Sequence, residues 1–321
     1  MNKRVSMKDI ASALNMSVDG VSKALRDSSE ISEATKEKVK EKAKELGYVK
    51  NSLAVSLKIG KTKNVAVFMN GFFNPYFAVL CDKIIRELEK QGYTGMVSVV
   101  TGFELKMEAI ETVFSNNCSA VISLTEPNDD VVKALVDNDI PLFLIGIKPK
   151  NKAVNYIITD DYDGGKQVGH YFLNHGYRNC IYITDSPSET STRRLYGFLD
   201  EIKKDANKQF FYVPFSLKED IIDDACKMIV ENNIEFAFCF SDYVALSLRV
   251  QLRLKYNIYN TVIFGFDDIT KTLKIYEPIN SVATNIDAIV EEVVTELNKG
   301  QQDKNYKKRL EKVYPVKLSI Y

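Results

Sequence analysis

Short apolar runs alternate with amphipathic stretches from Asn64 to the end of the chain, and this alternation restricts the fold more than any other feature. Four strand-like runs come first, NVAVFM, GMVSVV, SAVISL and IPLFLI, and four more follow, CIYIT, FFYVPF, EFAFCF and TVIFGF. Strands that are apolar almost throughout are typical of parallel sheets that helices cover on both faces. The two sets therefore predict two doubly wound α/β lobes with a cleft between them, where ligands bind beyond the carboxyl ends of the strands.

The first 50 residues follow the helical period instead. Apolar residues recur at helical spacing on either side of Asn15, which tolerates the left-handed conformation of a tight turn. Ser17 is the predicted N-cap of a second helix, and a third helix is predicted to begin after Ser32 and to end before Gly47. This order predicts a helix-turn-helix with a supporting helix, a unit that places the start of its second helix in the major groove of DNA.

Charge is distributed unevenly, although the formal net charge of the 321 residues is zero. Residues 1–64 carry 14 Lys and Arg against 8 Asp and Glu, whereas the remainder of the chain carries 29 against 35. A basic head on an acidic body suggests a polyanionic partner for the head alone. A solvated, lysine-rich surface is the alternative interpretation of the same charges.

Residues 51–63, NSLAVSLKIGKTK, connect the head to the body. A helix of about two turns is predicted here, which is too short to be stable alone in water. An exposed leucine flanked by lysines suits an apolar wedge that enters the minor groove. Packing of Leu53 and Leu57 on the body is the alternative. The predicted domains are thus a helix-turn-helix head at 1–50, a hinge helix and linker at 51–63, and a two-lobed body at 64–321.

Several classes of protein find no support in the sequence. No stretch approaches the roughly 20 apolar residues that span a bilayer, and no apolar segment of a secretory signal follows the basic start. The five cysteines are scattered and form no CxxC pair, which is typical of reduced thiols in the cytoplasm. No phosphate-binding GxxxxGK loop, no GxSxG nucleophile elbow and no metal-ligand spacing is found. We therefore expect a cytoplasmic protein that is not an enzyme and that has no catalytic residue, metal or cofactor.

With these segments taken together, the whole chain resembles the lactose-repressor (LacI/GalR) family of bacterial transcription factors. The resemblance rests on MKDIASALNMSVDGVSKAL in the head, on NPYF after the first body strand, and on RRLYGF, FSDYVAL and FGFDD in the second lobe. It implies a helix-turn-helix head, a hinge helix and a body similar to periplasmic sugar-binding proteins. It also implies a homodimer, or a tetramer, on a pseudo-palindromic operator in double-stranded DNA.

The resemblance further implies which residues bind DNA. It implies that Ser17 and Ser22 contact phosphates, and that base edges are contacted by Val18, Asp19 and Lys23. The implied contacts within the hinge are made by Asn51, Ala54 and Leu57. Lys23 stands where the family more often has arginine, so it lacks the fixed bidentate fork for guanine. Asp19 would repel phosphates but can accept a hydrogen bond from a cytosine amine. The operator is therefore expected to differ from those of better-known relatives.

The implied effector-binding residues lie at strand ends that face the cleft: Asn70, Phe72, Asn74, Arg194, Phe215, Ser241, Asp242, Asp267 and Asn285. Carboxylates accept hydroxyl protons in pairs, a guanidinium donates a planar fork, and an aromatic face covers the apolar side of a sugar ring. This chemistry suits a polyhydroxylated ligand. The two lobes are predicted at 64–159 with 286–314 and at 160–285 with 315–321.

The sequence thus predicts a DNA-binding repressor whose operator affinity is set by a small molecule, a sugar, bound between the lobes. A phosphosugar, a nucleobase or a protein corepressor is the alternative for the same regulator. A phosphosugar would require extra cationic contacts in the cleft, where Arg194 is the one strong candidate. A solute-binding protein or a sugar enzyme is the alternative from another class. The first has no use for a DNA-binding head, and the second would need a nucleophile or metal constellation.

Overall fold

A computed structural model describes residues 5–48, 62–217, 220–303, 306 and 308–321 of the chain. The chain divides into two compact units, Met1–Thr62 and Lys63–Tyr321, which are the head and the body. Of the predicted linker, only Thr62 and Lys63 belong to the described residues. The predicted boundaries of the three domains therefore stay predictions.

The head consists of three helices, α1 (Met7–Leu14), α2 (Val18–Ala24) and α3 (Glu33–Glu45). Asn15 ends α1 in the left-handed conformation with φ 50°, and the side chains of Ser17 and Ser32 cap α2 and α3, as predicted. Gly47 follows α3 with φ 68°. The helices enclose a small apolar core made of Ile10, Ala11, Val21, Ala24, Val39 and Ala43. This arrangement is a helix-turn-helix with a supporting third helix.

The body alternates strands and helices along its length. Its first half contains, in chain order, β1 (Asn64–Met69), α4 (Pro75–Lys90), β2 (Thr94–Val99), β3 (Glu104–Leu105), α5 (Met107–Ser115), β4 (Ala120–Ser123), β5 (Glu126–Pro127), α6 (Asp129–Asp137), β6 (Leu142–Ile145) and β7 (Asn155–Thr159). The second half contains α7 (Asp161–Asn174), β8 (Asn179–Ile183), α8 (Glu189–Ile202), β9 (Gln209–Val213), α9 (Ile221–Glu231), β10 (Phe236–Cys239), α10 (Asp242–Tyr256), β11 (Val262–Phe264), α11 (Ile269–Thr272), β12 (Ser281–Ala283), α12 (Ile286–Gln302), β13 (Glu311–Tyr314) and β14 (Lys317–Ser319).

The N-terminal lobe is built on a six-stranded sheet in the order β13-β7-β6-β4-β1-β2, whose strand pairs are all parallel. Both faces of this sheet are buried. Val65 and Val67 of β1 pack in one apolar cluster with α4 and α12, whereas Ala66 and Phe68 pack in the opposite cluster with α5 and α6. Burial on both faces explains why β1 is apolar at successive positions.

The C-terminal lobe repeats this plan on a four-stranded parallel sheet in the order β11-β10-β8-β9. Ile181 and Ile183 of β8 pack with α9 and α10, and Cys180 and Tyr182 pack on the other face with α7 and α8. The short strands β12 and β14 form an antiparallel pair beside them. The two predicted doubly wound lobes are therefore present.

Glycines allow α7 and α8 to approach until their main chains touch. A Cβ on Gly165 would collide with the carbonyl group of Arg194, and a Cβ on Gly197 would collide with the carbonyl group of Tyr162. Interiors are packed too densely to absorb such collisions. The contact therefore fixes α8, and with it the position of Arg194, against the first helix of the C-terminal lobe.

Within the described residues the chain passes from one lobe to the other after β7, after β12 and after β13. Direct contacts also join the lobes. The Thr190 hydroxyl donates to the Gly146 carbonyl at 3.2 Å, and the rings of Phe103 and Phe215 meet edge to face with centroids 5.7 Å apart. None of the helices in the described ranges is long and apolar enough to cross a membrane.

Candidate functional site

The first candidate site is the exposed surface of α2 in the head. Ser17, Val18 and Asp19 are exposed there, while Val21 and Ala24 on the opposite face are buried in the head core. The Ser17 Oγ accepts a hydrogen bond from the backbone amide of residue 20 at 3.0 Å. Because an alcohol can accept and donate at once, the same hydroxyl can donate to a phosphate oxygen.

Lys23 lies further along α2 and contacts two acidic side chains. Its Nζ is 2.6 Å from Glu30 Oε2 and 3.4 Å from Asp19 Oδ2. The hydrogen bond with Glu30, followed by that with Asp19, raises the pKa of Lys23. Exposed ion pairs of this kind are weak, so an acceptor on DNA can replace either carboxylate. Ser22 lies half-buried beside Lys23, and its carbonyl accepts from Arg26 Nε at 3.2 Å.

The structure brings together the five predicted DNA contacts of the head, on α2 and at its N-cap: Ser17, Val18, Asp19, Ser22 and Lys23. The three predicted hinge residues, Asn51, Ala54 and Leu57, lie outside the described residues. The contacts of both groups with DNA stay predictions.

The second candidate site is a cavity of about 410 Å³ between the two lobes of the body. It lies beyond the carboxyl ends of the strands, where parallel sheets bind ligands. Four of the predicted effector residues line it: Asn70, Asn74, Arg194 and Asp267. Asn70 directly follows β1, and Asn74 caps α4, since its Oδ1 accepts from Tyr76 N at 3.0 Å.

Arg194 is buried, and its guanidinium contacts three acceptors. Nε donates to Asp161 Oδ1 at 2.9 Å, and Nη1 donates to the carbonyl group of Phe240. Nη2 lies 3.5 Å from Asp267 Oδ1. The guanidinium also covers the ring of Phe266, 3.5 Å from its centroid. Arg194 therefore organises two carboxylates at the edge of the cavity and has its donors largely engaged within the protein.

Burial opposes the ionisation of both carboxylates that Arg194 contacts. It raises the pKa of Asp267 to about 6, although the Arg194 charge lowers it. Burial raises the pKa of Asp161 as well, against the charge of Arg194 and a hydrogen bond that the Thr159 hydroxyl donates at 3.2 Å. Two carboxylates contact one guanidinium, so the cluster carries excess negative charge when both are ionised.

The loop that carries Asp267 has a strained backbone. Asp267 and Asp268 have φ angles of 95° and 54°, in the region that favours glycine. Hydrogen bonds hold the loop there: Asp267 N donates to the Val282 carbonyl at 2.8 Å, and Asp268 N donates to Ser281 Oγ at 3.0 Å. The carboxylate of Asp267 is thus aimed by the neighbouring strand β12.

Asp242 does not line the cavity, because its carboxyl group makes hydrogen bonds inside the C-terminal lobe. Oδ2 accepts from Ile269 N at 2.6 Å and from Thr270 N at 3.3 Å. Oδ1 accepts from Ser281 Oγ at 2.6 Å. Burial raises the pKa of Asp242 to about 8. Asp242 is therefore a positioning residue, which anchors the loop that carries Asp267.

Ser241 and Asn285 also lie off the cavity lining, because both cap helices. Ser241 Oγ accepts from Val244 N at 3.4 Å at the start of α10. Asn285 Oδ1 accepts from Ala288 N at 3.1 Å at the start of α12. Both residues follow strands, as residues that line a cleft do. The sequence alone does not show whether a polar residue at such a position caps a helix or binds a ligand.

Two predicted aromatic contacts lie beside the cavity and not in its lining. Phe72 is exposed, and its neighbour Phe73 lines the cavity instead. Phe215 packs against Phe103, which does line the cavity. The rings that line the cavity are therefore those of a sequence neighbour of Phe72 and of a contact partner of Phe215. The aromatic lining consists of Phe73, Tyr76, Phe77, Phe103, Phe240 and Tyr243.

Thr125 and Asp185 line the cavity although they were not predicted. They lie two residues beyond the ends of β4 and β8. Thr125 Oγ1 and Asp185 Oδ1 are buried and have no hydrogen-bond partner within the described part of the protein. Burial raises the pKa of Asp185. The resemblance that implied Asn70 did not single out these two residues, but their places just after predicted strands are a signal that could have found them.

Metal ligands were not predicted from the sequence. Across the described ranges, no group of three or more His, Cys, Asp and Glu side chains is arranged to hold a metal ion. All five cysteines are buried free thiols.

The fold and the two sites define a class of protein, a DNA-binding head joined to a ligand-binding body. The family model "Bacterial regulatory proteins, lacI family" matches residues 6–51, and the model "Periplasmic binding proteins and sugar binding domain of LacI family" matches residues 63–247. The second match covers more than half of the chain. The chain belongs to the LacI family of bacterial regulatory proteins, and the prediction of a DNA-binding transcriptional regulator with a ligand-binding body is confirmed.

Individual relatives are similar along nearly the whole chain. The HTH-type transcriptional repressor PurR of Aliivibrio salmonicida (strain LFI1238) is 22% identical over 97% of this chain and 96% of its own. The structure of a Lac repressor dimer bound to operator and the anti-inducer ONPF is 17% identical, with a TM-score of 0.81 over 99% of this chain and 98% of that one. A LacI-family regulator from Enterococcus faecium with bound ribose is 18% identical, with a TM-score of 0.71 over 80% and 97%. The structural likenesses confirm the fold.

Proposed function

We propose that the chain is a repressor whose affinity for operator DNA is set by a small polyhydroxylated molecule, a sugar by chemical class. The cavity between the lobes carries this proposal, because side chains from both lobes converge in it beyond the strand ends. Asn70, Asn74, Arg194 and Asp267 would contact the effector or fix the groups that do. Binding is the whole activity in this proposal, and no reaction is catalysed.

The proposed DNA contact is made by the head of each subunit of a homodimer. Ser17 and Ser22 would contact phosphates, and Val18, Asp19 and Lys23 would contact base edges in the major groove. The hinge residues Asn51, Ala54 and Leu57 would contact the minor groove. The likeness to a Lac repressor dimer bound to operator supports this arrangement. Since bacterial chromosomes lie in the cytoplasm, the proposed site of action is there.

Control of DNA binding would follow from the two-lobed body. A ligand that contacts both lobes binds most tightly at one separation of the lobes and shifts the population of the body toward it. In a dimer, a change in the lobes would alter how two heads match two half-sites that lie one helical turn apart. The effector then changes the affinity for DNA without contacting it.

The DNA-binding part of the proposal can be tested with the full-length protein. Operator sequences are selected from a random duplex library, and the affinity of the best duplex is measured by fluorescence anisotropy at several salt concentrations. Lys23→Ala should weaken binding about tenfold and reduce the slope of affinity against salt. Lys38→Ala removes the same charge from an exposed position of α3 and should have the smaller effect. Equal losses in the two variants would remove α2 as the contact, and failure to enrich any sequence would overturn the proposed function.

A further inference from the structure

The cavity between the lobes has an unequal balance of charge. Four acidic side chains line it, Glu126, Asp185, Glu189 and Asp267, against one basic side chain, Arg194. Glu126 and Glu189 are exposed, and water screens their charges. Asp185 and Asp267 are more deeply placed, so their charges act more strongly on a ligand.

Arg194 does not offset this excess of negative charge. Its guanidinium contacts Asp161 as well as Asp267, and these two carboxylates together exceed its single charge. Its Nη1 donates to the Phe240 carbonyl. Each nitrogen of the guanidinium already contacts a protein acceptor, so a phosphate or a carboxylate would compete with these contacts for Arg194. An anionic ligand would also meet the Asp185 carboxyl group, on which the Arg194 charge acts only in part against burial.

Two residues of the lining each have one buried polar atom without a hydrogen-bond partner within the described ranges, Thr125 Oγ1 and Asp185 Oδ1. Thr125 is 4% exposed and belongs to the N-terminal lobe, whereas Asp185 belongs to the C-terminal lobe. Buried polar atoms are normally paired, and the backbone hydrogen bond that the Asp185 carboxyl group accepts leaves its Oδ1 without a partner. A ligand that complements the two side chains would offer a hydroxyl to Thr125 in the N-terminal lobe and a positive charge to Asp185 in the C-terminal lobe.

We propose that the effector is a small polyol that carries a protonated amino group, an amino sugar by chemical class, whose ammonium binds Asp185 and one of whose hydroxyls binds Thr125. This inference rests on the proposed function and specifies the ligand of the same cavity. The rings of Phe103, Phe240 and Tyr243 supply apolar faces and a favourable environment for a cation. Asp185 is then the residue that distinguishes an amino sugar from its neutral counterpart.

Matched pairs of sugars test the proposal on the full-length protein by isothermal titration calorimetry at pH 7. The pairs are D-glucosamine with D-glucose, D-galactosamine with D-galactose and D-mannosamine with D-mannose, and D-glucose 6-phosphate is the anionic probe. At least one amino sugar should bind tenfold or more tightly than its neutral partner. The phosphate ester should bind most weakly. A neutral sugar or the phosphate ester binding as tightly as the amino sugar, or no binding in any pair, would overturn the proposal.

Variants assign the preference to its residue. Asp185→Asn should remove the tenfold preference, because the substitution removes the charge and keeps the size of the side chain. Asp137→Asn makes the same change at an exposed position of α6 and should keep the preference. Thr125→Val should weaken both members of a pair alike, because it removes a hydroxyl contact that they share. Circular dichroism checks the fold of each variant, and the wild-type comparison of sugars decides the matter should a variant not fold.

The outcomes separate this inference from the proposed function. A neutral sugar that binds best and changes the affinity for the selected operator overturns the amino-sugar inference and leaves the repressor in place. A preference that survives in Asp185→Asn overturns the role of Asp185. A protein that enriches no DNA sequence but binds amino sugars overturns the repressor and leaves the ligand assignment standing.

Discussion

The two walls of the cavity differ in chemistry although the two lobes share one architecture. The wall from the N-terminal lobe offers mainly neutral groups, the amides of Asn70 and Asn74, the hydroxyl of Thr125 and aromatic rings. The wall from the C-terminal lobe offers charged groups, because Arg194 contacts both Asp161 and Asp267 there. One wall therefore selects a ligand by charge and the other by shape and hydrogen bonds. The effector proposed above would therefore need both walls to satisfy all its groups, and we expect it to bind best with the lobes held together.

The largest effect is expected from Arg194→Ala, which breaks the charged wall. Two buried carboxylates, Asp161 and Asp267, would lose their counter-charge, and removing one partner of a buried pair costs about 3–5 kcal/mol. The free energy of unfolding in urea measures this loss. Arg86→Ala, which breaks an exposed pair with Asp82 on α4, is the control and should change little. Similar losses in the two variants would contradict a structural role for Arg194.

The second effect concerns the support behind the charged wall. Because the pKa of Asp242 is about 8 in the folded protein, above the unfolded value of about 3.9, folding retains a proton between these values. This contribution to stability is full below pH 4 and decreases as the pH rises to 8. Asp242→Asn lacks this pH-dependent contribution. The free energy of unfolding of the variant, relative to that of the wild type, should therefore rise by more than ~1.4 kcal/mol between pH 4 and pH 8, the value of one pKa unit. Urea unfolding across this range measures the difference, and a constant difference would contradict the assignment.

Asp185→Asn should stabilise the protein when no ligand is bound. The folded pKa of Asp185 is raised by burial, so ionisation of its side chain destabilises the folded state above the unfolded pKa. We expect a gain in the free energy of unfolding at pH 7. The gain should decrease as the pH falls toward the unfolded pKa of Asp, because ionisation then contributes less to the difference between the two states. Thermal unfolding at pH 7 and at pH 4 measures it, and an equal change at both would show that charge is not the cause.

The smallest effect is expected at the contact that joins the two walls. Phe103 and Phe215 meet edge to face across the lobes, and such pairs contribute about 0.5 kcal/mol or more beyond their buried area. A double-mutant cycle with Phe103→Leu and Phe215→Leu should give a coupling free energy of this size in urea unfolding. The same double-mutant cycle, measured on the affinity for the ligand, would show whether the contact between the lobes also contributes to binding. Additive changes would mean that the rings are neighbours without coupling.

The sequence predicted the architecture because the lobes depend on period and burial. Every β1 position from Val65 to Met69 is buried, and such a strand is apolar in any register of the sheet. The caps at Ser17 and Ser32 depend on local geometry and were found in the same way. The family resemblance supplied the rest of the outline, including the DNA-binding class.

The cavity was predicted only in part, because residues at strand ends serve two purposes. Asp242 and Asp267 both follow strands of the C-terminal lobe, but the backbone amides of α11 capture the first and leave the second at the cavity. Which carboxylate meets an amide depends on how the loop closes in three dimensions. Asp161 begins α7, and its pairing with Arg194 depends on the approach of α7 and α8.

The glycine contact between α7 and α8 has a mechanical consequence. Helices whose main chains touch at Gly165 and Gly197 have no layer of side chains between them that could be compressed or rearranged. The two helices therefore form one rigid unit, with Thr190 at the cavity end of α8 and Glu201 near the other end. We therefore expect a displacement that a ligand causes at Thr190 to move both helices together, and a methyl group at either glycine to push the two helices apart.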